Sequence, residues 1–236
     1  MFPAMKLVLF DIDGTLLWTD GAGRRAVQRA LVAEAGTAGP IDTYRFDGKT
    51  DPQIITDLLR LGGHPHPDRA DLVAAVSARY LEFLAEELRR AAGTTRVLPG
   101  VTELLAGLAP HEAADRAVVG LLTGNLAAGA ALKLQSGGLD PARFALGAYG
   151  SDSGTRADLP SIAMRRVAAL GHPVASADVV ILGDTPADVA CAQGIGARSV
   201  GVATGYYDLA ALRAAGATAV FQSLADTEAV LEFLIA

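Results

Sequence analysis

Two aspartates one residue apart, Asp11 and Asp13, close the apolar run Leu7-Val8-Leu9-Phe10 and are followed by Gly14-Thr15. Carboxylates this close do not readily both ionise unless a cation or a shared proton sits between them. Four apolar residues ending abruptly in charge read as a buried parallel strand whose C-terminal end opens to solvent. Open α/β sheets bind their ligands at that edge. The string also has an architectural reading, an Asx turn with Asp13-Gly14 punctuation closing a strand.

Three further apolar runs end in polar loops. Ala117-Val118-Val119-Gly120-Leu121-Leu122 stops at Thr123-Gly124-Asn125, and the weaker run 144–149 is followed by Gly150-Ser151-Asp152-Ser153-Gly154-Thr155-Arg156. Val179-Val180-Ile181-Leu182 ends in Gly183-Asp184-Thr185-Pro186-Ala187-Asp188. Strand ends of one parallel sheet share an edge, so these loops converge. Four carboxylates, one hydroxyl and one guanidinium then face a common point, a concentration of negative charge that calls for a metal ion.

The elements that must hold these loops are helices alternating with the strands. Helical patterns are expected over 101–108, 126–136, 159–170, 209–215 and 226–234, with outer strands over 198–202 and 219–221. The alternation implies a doubly wound, Rossmann-like, mostly parallel sheet with right-handed crossovers. Between the first strand and the second, however, the chain shows only helical patterns, over 24–35, 52–61 and 68–91, the last with Leu72, Val76, Tyr80, Leu84 and Leu88 at helical spacing. One crossover rarely takes so much helix, so this block is expected to be an inserted all-helical cap over 19–95, on a core of residues 1–18 and 96–236.

Bulk properties narrow the classes. A chain of 236 residues with 51% hydrophobic content buries a sizeable core, and a net charge of -6 argues against nucleic acid as partner. A small phosphorylated metabolite needs only a few local cations and stays open. The lone Cys191 excludes an internal disulfide and fits a reducing compartment. No run has the length of a membrane span or the pattern of a secretion signal, so a soluble cytoplasmic protein with no membrane partner is expected.

Asp11-Ile12-Asp13-Gly14-Thr15, Leu122-Thr123-Gly124-Asn125 and Gly183-Asp184-Thr185-Pro186-Ala187-Asp188, in order and at strand ends, resemble the first, second and fourth motifs of the haloacid dehalogenase-like hydrolase superfamily. The position of the helical block is similar to that in its helically capped, phosphoglycolate phosphatase-like branch. The third motif departs: the family usually has a lysine there, whereas this chain has only Lys6, Lys49 and Lys133, none of them in the expected loop. Arg156 is the available cation. A surface arginine paired with Asp158 is the competing reading.

The resemblance implies a magnesium-dependent phosphatase for a small phosphomonoester, phosphoglycolate-like or a sugar phosphate. Asp11 would be the nucleophile that becomes an aspartyl phosphate and Asp13 the acid/base, with Thr123 and Arg156 on the phosphoryl group. Magnesium would take a carboxylate of Asp11, the backbone carbonyl of Asp13 and Asp184, with Asp188 as a further member of the metal set that orients a bound water or Arg156. Thr15, Gly124, Asn125 and Lys49 are the expected substrate contacts; Lys49 enters through Gly48-Lys49-Thr50-Asp51-Pro52, which also reads as a helix N-cap followed by proline. Trp18, Tyr206 and Tyr207 are placed near the pocket or in packing. The four histidines and Cys191 are read as structural. A sugar phosphomutase, a phosphonoacetaldehyde hydrolase with Lys49 as Schiff base, and a non-catalytic binding protein are the alternatives.

Overall fold

The computed structural model describes residues 5–90 and 93–236. Residues 1–4 of the expected core segment and Ala91 at the end of the expected third helix lie outside them. Along the chain run β1 (Lys6–Phe10), β2 (Leu17–Trp18), α1 (Ala22–Ala35), α2 (Asp51–Leu61), α3 (Ala70–Arg90), β3 (Arg96–Val97), α4 (Val101–Ala113) and β4 (Ala117–Thr123). There follow α5 (Ala127–Ser136), β5 (Leu146–Tyr149), α6 (Leu159–Ala169), β6 (Val179–Gly183), α7 (Pro186–Ile195), β7 (Arg198–Val202), α8 (Leu209–Ala214), β8 (Ala219–Phe221) and α9 (Thr227–Ile235).

Six strands form one sheet in the order β5-β4-β1-β6-β7-β8, and every pairing in it is parallel. The most apolar strands take the middle: Leu9 of β1 pairs with Gly120 of β4 on one side and Ile181 of β6 on the other. Alternation along β1 divides its side chains between two cores. Val8 and Phe10 join Leu104, Leu108, Val230 and Leu234 on the α4/α9 face. Leu7 and Leu9 join Leu159, Ala163, Val167 and Ala192 on the α6/α7 face. Fully burying such a side chain contributes roughly 1.5–3 kcal/mol, which fixes the register of β1 and so the place where Asp11 emerges. The strand order reverses at β1, which puts the ends of β1, β4 and β6 beside a topological switch point.

The helices α1 to α3 pack around an apolar cluster of their own, with Val27, Leu31, Ile55, Leu58, Val76 and Tyr80 buried in it. An antiparallel pairing of β2 with β3, Leu17 with Val97 and Trp18 with Arg96, brackets this block. Two-residue strands carry no periodicity, so this ribbon is invisible in the sequence. Two other elements differ from expectation. The helix α4 continues past residue 108 with Pro110 inside it, and β5 starts at Leu146 because Pro141–Arg143 forms a single 3₁₀ turn ahead of Phe144. Among the described residues no helix is long and apolar enough to cross a membrane.

Candidate active site

The end of β1 delivers Asp11, 5% exposed, whose Oδ1 accepts from the Ile12 amide (2.8 Å) and whose Oδ2 accepts from Arg156 Nη2 (2.9 Å). The same Nη2 donates to Asp188 Oδ1 at 2.5 Å. Asp188 is fixed from its other side: Thr185 caps α7, its hydroxyl donating to Asp188 Oδ2 (2.7 Å) while Pro186 occupies the first turn. Arg156 therefore stands among the site carboxylates. Asp158 instead accepts from the Ser153 hydroxyl (2.7 Å), and Asp152 pairs with Arg166.

The end of β6 adds Asp184, 3% exposed. One carboxylate oxygen from each of Asp11, Asp184 and Asp188 lies within 4.8 Å of the others. Space around Asp184 is kept by glycines: a Cβ at Gly14, where φ is +81°, would lie 2.4 Å from Asp184 Oδ2, and one at Gly205 1.7 Å from it. Burial, then repulsion from Asp188 and Asp11, pushes the Asp184 carboxyl well above the usual range. Burial likewise raises Asp11 to about 6, against the pull of Arg156. Burial opposes charge on Arg156 as well, but Asp11 and Asp188 outweigh it and hold the guanidinium firmly protonated. Three crowded, buried, oxygen-only ligands with one guanidinium among them are a donor set that suits a hard divalent cation.

The carboxylate of Asp13 points elsewhere. The expectation for Asp13 at the metal concerns its backbone carbonyl; its side chain accepts at Oδ2 from Asn125 Nδ2 (2.8 Å) and from Lys133 Nζ (2.6 Å). Thr123, 1% exposed at the end of β4, sits beside Asp11, and its hydroxyl accepts from Asn125 Nδ2 (2.8 Å). Asn125, expected at the substrate, thus ties Thr123, Asp13 and Lys133 together. Thr15, expected at the substrate, is fully buried, and its hydroxyl meets Asp184 Oδ1 at 3.4 Å.

Above these residues lies a cavity of about 450 Å³, bordered by Asp11, Asp13, Lys49, Lys133, Arg156 and Trp18 among others. The helical block roofs it. Thr50 caps α2 and donates to the Gly154 carbonyl (2.8 Å). Asp51 reaches the loop after β4, its amide donating to the Gly124 carbonyl (2.8 Å) and its carboxylate accepting from the Leu126 amide (2.8 Å). A Cβ at Gly124 would lie 2.0 Å from the Lys49 carbonyl oxygen, so only glycine permits this approach. The Lys49 ammonium borders the cavity and pairs with Asp57 (3.2 Å) and with the Tyr44 hydroxyl. Trp18 donates to the Thr204 carbonyl (3.2 Å) and meets Tyr206 edge-on, with ring centroids 6.0 Å apart. Arg45 lies over the rings of both Tyr206 and Tyr207. Cys191 is packed, with burial raising its thiol to about 11.

The sequence reading missed Lys133 and Asp51 as members of the site. Lys133 lies on a helix rather than in the expected loop. Its signal was periodicity: Gly129, Ala130, Lys133 and Leu134 are the buried stripe of α5, and a lone lysine on such a stripe needs a partner. Burial disfavours its charge, but Asp13 and Asp51 outweigh this and raise it above the ordinary lysine range.

The sequence profile of the haloacid dehalogenase-like hydrolases matches residues 8–193. Solved structures share the fold. A hydrolase from Pseudomonas syringae superposes with a TM-score of 0.74 at 21% identity, covering 98% of this chain and 100% of its own. CbbY from Rhodobacter sphaeroides, in complex with xylulose-1,5-bisphosphate, gives 0.72 at 22% identity over 94% and 96% of the two chains. A predicted phosphoglycolate phosphatase from Haemophilus somnus gives 0.69 at 18% identity over 98% and 99%. No curated protein matches the sequence.

Proposed function

The chain belongs to the haloacid dehalogenase-like hydrolase family, and from that premise we propose that it is a magnesium-dependent phosphatase acting on a small phosphomonoester. The observation that carries this reading is the buried constellation of Asp11 against Arg156, with Asp184 and Asp188 in one carboxylate cluster. Magnesium held by Asp11, the Asp13 carbonyl and Asp184 would supply positive charge to the phosphoryl oxygens and keep Asp11 anionic. The bisphosphate in the Rhodobacter complex and the phosphatase description of the Haemophilus protein are in keeping with a phosphorylated metabolite as substrate.

In the proposed reaction a carboxylate oxygen of Asp11 attacks phosphorus, in line with the ester oxygen, whose bond to phosphorus breaks. Asp13 gives its proton to that departing oxygen. Water then attacks the aspartyl phosphate, passing a proton back to Asp13, and inorganic phosphate leaves with Asp11 restored. Arg156, Thr123 and the Gly124 amide hold the phosphoryl oxygens, while Asp188 orients Arg156. Residues 19–95 act as a lid that excludes water, with Lys49 offered to the rest of the substrate.

Hydrolysis of p-nitrophenyl phosphate with magnesium, with EDTA, and by Asp11→Asn tests the proposal. Turnover that needs the metal and disappears in Asp11→Asn is expected. Absence of turnover with any divalent cation would reject the enzyme in favour of a binding protein.

A further inference from the structure

Lys133 has no part in the reaction just described, yet it touches the group that must move protons. Its side chain is 6% exposed, and its ammonium donates to Asp13 Oδ2 and to Asn125 Oδ1, both at 2.6 Å. The Asn125 amide closes the ring, Nδ2 donating to the same Asp13 Oδ2 at 2.8 Å and to Thr123 Oγ1 at 2.8 Å. One oxygen of Asp13 thus receives two donors, one of them charged. No hydrogen bond to its other oxygen, Oδ1, forms among the described residues, and the Asp13 side chain is 34% exposed at the cavity.

These two oxygens are not equivalent. A proton on Oδ2 would face an ammonium and an amide N–H, both already donating, and would displace one of them. A proton on Oδ1 meets no such competition, and the Asp13 side chain borders the cavity. The asymmetry comes from α5, whose buried stripe carries Lys133 to this spot.

We infer that Lys133 is a positioning residue of the reaction: with Asn125 it anchors Oδ2 of Asp13, so that Oδ1 is the atom that delivers the proton to the leaving oxygen and takes it back from water. The inference rests on the phosphatase reading of Asp11 and Asp13. A lysine that served only to neutralise buried carboxylates or to seat the lid would affect all substrates alike. One that aims a general acid matters most where the leaving group needs a proton.

The test compares first-turnover rates for phenyl phosphate and p-nitrophenyl phosphate in wild type, Lys133→Met and Lys133→Arg. Nitrophenolate departs without help, whereas phenolate gains from a proton in the transition state. Because a positioned acid contributes about 10²–10⁴-fold, Lys133→Met is expected to lose at least ~10-fold more rate with phenyl phosphate than with p-nitrophenyl phosphate. KM for the two esters should move together, and Lys133→Arg should recover part of the difference. Equal losses with both esters would overturn the inference. Release of nitrophenolate by the same variant reports an assembled site; should Lys133→Met not fold, Lys133→Gln is read in the same way. Wild type inactive on both esters is a separate outcome, which rejects the phosphatase reading and this inference with it.

Discussion

Arg156 and Asp11 form an ion pair of 2.9 Å with side chains 8% and 7% exposed, and Asp188 shares the same guanidinium nitrogen. The pair joins the loop after β5 to the end of β1, and Asp188 is itself locked by the Thr185 cap of α7. Removing one partner of a buried pair leaves a charge without compensation.

Arg156→Ala is therefore expected to lower kcat by at least ~10²-fold, through lost charge at the phosphoryl oxygens. It should also destabilise the metal-free protein by about 3–5 kcal/mol, because Asp11 and Asp188 are left facing each other. Steady-state kinetics and chemical denaturation read the two effects separately. A near-normal rate would mean that another cation serves the phosphoryl group.

Metal-free stability should fall as pH rises. The Asp11 pKa is raised from 3.8 to about 6, and burial also raises that of Asp184 well above the usual range, so the folded chain holds protons that the unfolded chain releases. This contribution is fully present below about pH 4 and lost as pH climbs through 6, on the order of 3 kcal/mol for Asp11. Magnesium, which binds the anions, should then raise Tm at pH 7.5 and do little at pH 4.5. Thermal melts with magnesium and with EDTA across that range check it; a Tm indifferent to magnesium at neutral pH would contradict a metal site here.

Gly124→Ala should lift the lid without unfolding the core. The new methyl would meet the Lys49 carbonyl at 2.0 Å, backbone against backbone, and the Asp51 amide bond to Gly124 would go with it. Overpacking of this kind costs about 1–3 kcal/mol, enough to shift a docked lid toward an undocked one. A fall in kcat/KM with faster amide exchange in α1 to α3, and little change in β1, β4 and β6, is the expected pattern. Unchanged activity would show that lid docking at this loop does not matter to turnover.

The legible part of this protein is the part built from long buried strands. Where β1, β4 and β6 end in polar loops, sequence pattern alone assembles Asp11, Thr123 and Asp184 on one edge, because a parallel sheet leaves little choice of register. What is not legible depends on side-chain direction. Thr15 is adjacent to the motif aspartates yet spends its hydroxyl on Asp184. Lys133 and Asp51 are remote from the motifs and enter through helix faces and lid docking, which no local spacing encodes. The β2/β3 ribbon is missed for want of length.

The central claim is that Asp11 itself takes the phosphoryl group. Rapid acid quench of the magnesium-loaded enzyme during turnover of p-nitrophenyl phosphate, followed by peptide mass spectrometry, measures this directly. A single phosphoryl mass increment on the peptide containing Asp11, absent in Asp11→Asn, is the predicted result. Turnover with no phosphorylated Asp11, or with the increment on another residue, would contradict the account.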